Sequence, residues 1–159
     1  INHLLADGHA TLYLGNLDAK RDWGHAEDYV EMQWLMLQQE APKDYVIATG
    51  FQTTVRDFVD RCFQALGVSL AWSGSEVEEV AQIRSSKPTL AKIFPKGRTV
   101  VRVDSRYLRP LEVENLLGDP SLARAELGWS PKIDIDGLIQ RMLTKDISDE
   151  LKIKYEIDL

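Results

Sequence analysis

The chain has 159 residues and a net charge of −6, from 25 Asp and Glu against 19 Lys and Arg, and 44% of it is hydrophobic. That balance fits one modest globular unit with a sizeable core and excludes a disordered or low-complexity scaffold. It also excludes a general nucleic-acid binder, which needs a basic surface, and no apolar run is long enough to cross a bilayer. Cys62 is the only cysteine, which leaves no intrachain disulfide and no Cys-based zinc site. With no signal segment in view, the expected compartment is reducing and cytoplasmic. The sequence opens on Ile1-Asn2-His3 rather than on Met and reads as the back part of a longer protein.

Residues 1–7 read as the tail of a helix stopped at Gly8, and residues 11–14 as a short strand ending in the Gly15-Asn16 turn. Residues 25–39 predict a helix with two apolar stripes. Ala26, Tyr29, Val30, Trp34 and Leu37 make one, and Met32, Leu35 and Met36 make the other. A helix apolar on two sides is expected to be sandwiched between other elements. Residues 45–49 form a continuous apolar run before Gly50, expected as a buried strand of the parallel type. Thr53 is the expected cap of a helix reaching Leu66, with Val55, Phe58, Val59, Cys62 and Leu66 facing inward. Cys62 belongs to that stripe and reads as a small buried hydrophobe rather than a reactive thiol.

Residues 68–72 predict a strand, and Ser75 followed by Glu78 has the capping-box spacing that opens a short helix. Pro88, Pro95 and Gly97 mark residues 84–98 as a loop, and Thr99–Val103 predicts another strand. Asp119-Pro120 predicts a helix to Leu127. Asp134 or Asp136 opens the last one, burying Leu138, Ile139, Met142 and Leu143. The alternation from Leu151 to Leu159 predicts a terminal strand or a frayed tail. The sum is an α/β chain whose first part suits the edge of a doubly wound sheet and whose remainder is more irregular.

Between Arg84 and Arg109 stand eight basic residues and a single acid, Asp104. In an acidic chain this segment reads either as a local anion site, for which arginine forks are suited, or as a solvated loop. A second cluster, Lys20-Arg21-Asp22-Trp23-Gly24, precedes the long helix. Arg21 near a helix N-terminus suits a phosphate or nucleotide contact. The plainer alternative pairs Arg21 with Asp22 on the surface and uses Trp23 as a packing anchor. The sequence contains no glycine-rich dinucleotide fingerprint, no P-loop and no Tyr-x-x-x-Lys pair. His3, His9 and His25 lack metal-ligand spacing, and Asp57, Asp60, Asp146 and Asp149 read as solvated acids. Residue logic gives an anion-binding surface and no catalytic centre.

Three motifs go further. They are Leu14-Gly15-Asn16-Leu17-Asp18-Ala19-Lys20-Arg21-Asp22-Trp23-Gly24-His25, continuing to Asp28-Tyr29-Val30 and Met36-Leu37-Gln38-Gln39; Tyr107-Leu108-Arg109-Pro110-Leu111-Glu112-Val113; and Gly118-Asp119-Pro120 with Leu127-Gly128-Trp129-Ser130-Pro131. The first two resemble the GDP-mannose 4,6-dehydratase family, and the third is shared more widely among extended short-chain dehydrogenases. The resemblance covers about residues 10–146, with Leu108 standing where that family often has Phe.

The resemblance implies the C-terminal portion of an extended short-chain dehydrogenase fold. Residues 1–50 would be the last helix–strand elements of the dinucleotide-binding Rossmann domain, at the edge of its doubly wound sheet. Residues 51–159 would be mostly the smaller mixed α/β domain that binds the nucleotide sugar. The half that carries NADP and the catalytic residues would be absent, so no catalytic, cofactor-binding or metal residue is expected here. The implied activity is that of a lyase converting GDP-mannose to GDP-4-keto-6-deoxymannose, with the chain alone inactive. By motif, Gly15, Asn16 and Ala19 would line the guanosine pocket, Arg21 and Arg109 would contact the phosphate–ribose part, and Glu112 would face the ribose. The implied partners are GDP-mannose and further copies in a homo-oligomer. The tail after Asp146 receives no role. Two alternatives remain: another GDP-sugar enzyme of the superfamily, such as a 4-keto-6-deoxymannose reductase, and a non-catalytic binding module. Trp23-Gly24-His25 favours the dehydratase, and the two-sided helix argues against a stand-alone module.

Overall fold

The structure is a computed structural model that describes residues 1–109, 111, 113 and 115–159. After a short helix α1 (Asn2–Ala6), the strands β1 (Leu12–Leu14), β4 (Val68–Ser73), β5 (Val80–Ser86) and β6 (Thr99–Val103) build one sheet in the order β1-β6-β5-β4. β1 runs parallel to β6, with Leu12 opposite Val101, whereas β6, β5 and β4 pair antiparallel. The turn between β4 and β5 closes at Gly74, whose φ is +81° and where a Cβ would sit 2.5 Å from the carbonyl oxygen of Glu78. Only glycine fits such a turn.

Helix α3 (Val55–Ala65) lies against β4 and also against α5 (Ile135–Asp146), and α6 (Asp149–Tyr155) returns beside α1. Their apolar faces close a main core on the sheet, with Phe63, Leu66, Val68, Ile83, Val100, Val101 and Ile139 buried. Phe63 meets Phe94 edge to face at 5.8 Å. Removing these side chains from water is what holds α3 and α5 in place.

A second, smaller core forms where α2 (Ala26–Leu37) packs against α4 (Ser121–Leu127) through Met32, Ala123 and Trp129. α2 is capped by His25, whose Nδ1 accepts the Glu27 N–H at 3.1 Å. Asp28 is buried in this core and satisfied there. Its carboxylate accepts the N–H groups of Lys132 (3.1 Å) and Ile133 (3.0 Å), and its carbonyl accepts the Trp129 indole N–H at 3.0 Å. A buried carboxylate needs such donors, so this one fixes the crossing of α2 and the 129–133 segment.

The α/β class and most elements agree with the sequence, and the disagreements have physical reasons. Residues 45–49 form no strand and pair with no described one, since a ladder needs a neighbour to donate to it. Tyr45 and Ile47 turn to the small core instead, and Asp22 holds the end of the run by accepting the Thr49 N–H and Gly50 N–H, each at 2.9 Å. The segment expected as a loop from Arg84 starts inside β5, a strand flanked on both sides. Its polar Arg84-Ser85-Ser86 end conceals the inward alternation of Ala81 and Ile83. The final alternating run is largely helical, because Ser148 caps α6 by accepting the Leu151 N–H. Thr54 rather than Thr53 caps α3, accepting the Asp57 N–H at 3.0 Å. Helix α2 is covered on one side only among the described residues, leaving Val30, Trp34 and Leu37 61%, 59% and 81% exposed. No helix among the described residues is long and apolar enough to cross a membrane.

Candidate functional site

β1 ends at Leu14 and the chain turns through Gly15 and Asn16, where the Asn16 side-chain oxygen accepts the Asp18 N–H at 2.9 Å. This Asx turn holds the loop open on one side. On the other side the first turn of α3 clamps it. The Arg56 N–H donates to the Leu17 carbonyl at 2.9 Å, and the Val55 N–H to the Ala19 carbonyl at 3.1 Å. Helix N-termini have N–H groups to spare, and the 15–19 loop consumes two of them.

The opposite wall comes from the end of β6. The Asp104 N–H donates to the Leu14 carbonyl at 2.9 Å, and the Asp104 carboxylate caps the 3₁₀ turn Ser105–Tyr107 by accepting the Arg106 N–H at 2.9 Å. The Arg106 guanidinium adds further bonds to the same carboxylate and holds it below the usual carboxylate range. This turn delivers Leu108 and Arg109 beside Gly15. The result is a cleft of about 400 Å³ lined by Gly15, Asn16, Asp18, Glu76, Glu79 and Arg109.

Of the residues singled out by motif, Gly15, Asn16 and Arg109 thus meet in one cleft. Ala19 is buried beneath the loop and contributes its carbonyl to the clamp. Arg21 lies in β2 (Lys20–Arg21), paired antiparallel with β3 (Thr53–Thr54). Its Nη1 donates to the Val113 carbonyl at 2.7 Å, so it binds the segment that follows Arg109 rather than Asp22. Trp23 packs against Phe58 with ring centroids 4.6 Å apart, as an anchor would. Glu112 lies outside the described residues. The basic stretch 84–109 does not form one anion surface. Arg98 is half-buried and donates to the Ala10 carbonyl at 2.9 Å, Lys87 donates to the Glu156 carbonyl, and Arg106 is occupied by Asp104. Arg109 is the member that lines the cleft.

Sequence reasoning missed the cleft's acids and the residue behind them. Arg56 contacts Glu79 with both terminal nitrogens and reaches Asp18 with Nη2 at 2.9 Å. The hydrogen bond to Glu79, then that to Asp18, holds the Arg56 guanidinium above its ordinary range. No spacing rule links these residues, which come from three separate elements. A second cavity, of about 290 Å³, is apolar and lined by Leu14, Phe58, Cys62 and Met142 among others. Burial pushes the Cys62 thiol up to about 11, which suits a packing role. Among the described residues no group of His, Cys, Asp or Glu is placed to hold a metal ion.

The fold resembles that of two solved proteins. The Pseudomonas aeruginosa protein RMD, complexed with NADPH, is 17% identical with a TM-score of 0.59 over 86% of this chain and 35% of that one. The Bordetella bronchiseptica enzyme WbmG, in complex with NAD and UDP, is 18% identical with a TM-score of 0.55 over 98% of this chain and 38% of that one. The sequence matches the GDP-mannose 4,6 dehydratase family over residues 1–142, and the chain belongs to that family. The GDP-mannose 4,6-dehydratase of Vibrio cholerae serotype O1 is 52% identical over 86% of this chain and 36% of its own length. The human GDP-mannose 4,6 dehydratase is 44% identical over 84% of this chain and 33% of its own length. The chain spans about a third of the curated relatives it matches.

Proposed function

We propose that this chain forms the nucleotide-sugar-binding part of a GDP-mannose 4,6-dehydratase, a lyase that converts GDP-mannose to GDP-4-keto-6-deoxymannose. The observation that carries the reading is the meeting of the Gly15-Asn16 turn with Arg109, distant from it in sequence, in one cleft at the end of a parallel strand pair. Open α/β sheets bind ligands beyond the carboxyl ends of their strands, where β1 and β6 both end here. In this role Gly15 and Asn16 line the guanosine side, and the planar fork of Arg109 meets the diphosphate. Arg21 secures the segment after Arg109 through the Val113 carbonyl, and Ala19 seats the loop. Glu112 takes the ribose diol, for which a carboxylate is a suitable acceptor.

The cofactor of this reading is NADP, which would take and return the hydride of the reaction. The described residues do not fit it. β1 leads into a loop rather than a glycine-rich helix entry, and β6 leads into a 3₁₀ turn. On this reading NADP and the proton-transferring groups belong to residues outside this chain. On the same reading residues 1–50 belong with the dinucleotide-binding domain and 51–159 mostly with the substrate domain, in a homo-oligomer.

The test is calorimetric titration of GDP and of GDP-mannose into the full-length protein. Arg109→Ala is expected to weaken both by roughly ten- to hundredfold, the worth of one charge-assisted hydrogen bond. Lys96→Ala, an exposed position between Pro95 and Gly97, is expected to change neither. GDP binding with parental affinity by Arg109→Ala contradicts the assignment.

A further inference from the structure

The cleft has an electrostatic problem that its lining does not solve. Among the described residues, Asp18, Glu76 and Glu79 line it with a single cation, Arg109. A nucleoside diphosphate is strongly anionic and would be repelled by such a wall. The compensation stands behind the wall. Arg56 grips Glu79 with both terminal nitrogens, one at 3.1 Å, and extends Nη2 to Asp18 at 2.9 Å. Glu79 and Arg56 are mostly covered, with side chains 13% and 23% exposed, whereas Asp18 sits at the rim, 79% exposed.

Arg56 is itself fastened from several directions. Its backbone N–H holds the Leu17 carbonyl, and its guanidinium lies over the Trp72 ring at 4.9 Å. The Trp72 indole N–H is fixed in turn by the Asp60 carboxylate at 3.0 Å. A planar guanidinium held over an indole and forked onto a carboxylate has little freedom left. The side chain therefore sets the spacing between the 15–19 loop and the Glu79 wall.

We propose that Arg56 is the positioning residue of the nucleotide cleft: it ties the two walls together and cancels carboxylate charge that a nucleoside diphosphate would otherwise meet. The proposal rests on the nucleotide reading of the cleft given above. Arg56 acts through Asp18 and Glu79 and needs no contact with the ligand. Its loss leaves Glu79 covered and unpaired, facing the phosphates, which is the costly way to break such a pair.

The experiment measures GDP affinity by calorimetry, and KM and kcat for GDP-mannose, in the full-length protein. Arg56→Ala is expected to weaken GDP binding and raise KM by roughly tenfold while kcat stays within about twofold. Arg56→Ala combined with Glu79→Gln removes the stranded charge and is expected to recover most of the affinity. Arg56→Lys, which keeps the charge and loses the fork, is expected to lose only about threefold. Should Arg56→Ala not fold, the lysine variant carries the test. A residue that merely supports the fold would lower the denaturation midpoint and the active fraction without moving KM or GDP affinity. Parental KM and GDP affinity in Arg56→Ala, or in the lysine variant if that replaces it, overturns the proposal. So does a double variant no tighter than the single one. Arg109→Ala separates the two levels: if it binds GDP like the parent, the nucleotide reading falls and takes this proposal with it. If it weakens binding while Arg56→Ala does not, only the role of Arg56 falls.

Discussion

Replacing Gly15 by alanine tests whether the cleft's geometry depends on one close approach. A Cβ at Gly15 would stand 2.3 Å from the Tyr107 carbonyl oxygen, 2.9 Å from its carbon and 3.4 Å from the Tyr107 Cβ. Non-bonded carbon contacts settle at roughly 3.5–4.0 Å, so the β1 end and the 3₁₀ turn must part by about 1 Å. The obstacle is backbone, and the Asp104 cap with its bond to Leu14 prevents the turn from swinging aside. Overpacking of this kind costs about 1–3 kcal/mol of stability. The functional effect is larger, because Arg109 follows Tyr107 by two residues and moves with it. Losing a well-aligned bond to a charged group forfeits about 1.5–3 kcal/mol, or roughly a ten- to hundredfold weaker GDP affinity. Calorimetry with GDP and urea denaturation of the full-length protein would measure both. Gly8→Ala is the control, since its Cβ would meet only the tip of Ile93 at 3.1 Å, a flexible side chain that can yield. Parental GDP affinity in Gly15→Ala refutes the reasoning.

Asp28→Ala strands the N–H groups of Lys132 and Ile133 in the small core and is expected to cost about 2–4 kcal/mol, read as a lower urea midpoint. Asp28→Asn, which keeps an acceptor, is expected to lose less, and equal losses would contradict this account. The Cys62 thiol, raised to about 11 by burial, is expected to alkylate with iodoacetamide at pH 8 roughly a hundredfold more slowly than a free thiol. Because the raised value belongs to the folded state, its contribution to stability is complete below the ordinary thiol pKa and is lost as pH rises through about 11. Rapid labelling at pH 8 in the folded protein would count against it. The 159 residues alone are expected to self-associate, because Val30, Trp34 and Leu37 lie exposed along α2. A compact monomer in light scattering would contradict that expectation.

Local signals in the sequence determined much of this protein. The His25–Gln39 periodicity, the Gly128 stop after α4, the Thr99–Val103 strand and the Asp134 start of α5 all depend on neighbours a few residues away, and all appear in the structure. The motifs around Gly15 and Arg109 were equally legible, and family membership follows from the sequence match. What the sequence could not determine is whatever depends on partners distant in the chain. Residues 45–49 have the composition of a strand, but a strand exists only beside another, and no described strand stands there. The basic stretch 84–109 looked continuous in charge, yet the fold scattered it, sending Arg98 to the Ala10 carbonyl and Arg109 to the cleft. Arg56 carried no signal at all, because its importance comes from Asp18, Trp72 and Glu79, which only tertiary packing brings to it. Short-range hydrogen bonds and side-chain periodicity are written in consecutive residues, whereas charge compensation is decided by which walls the folded chain sets face to face.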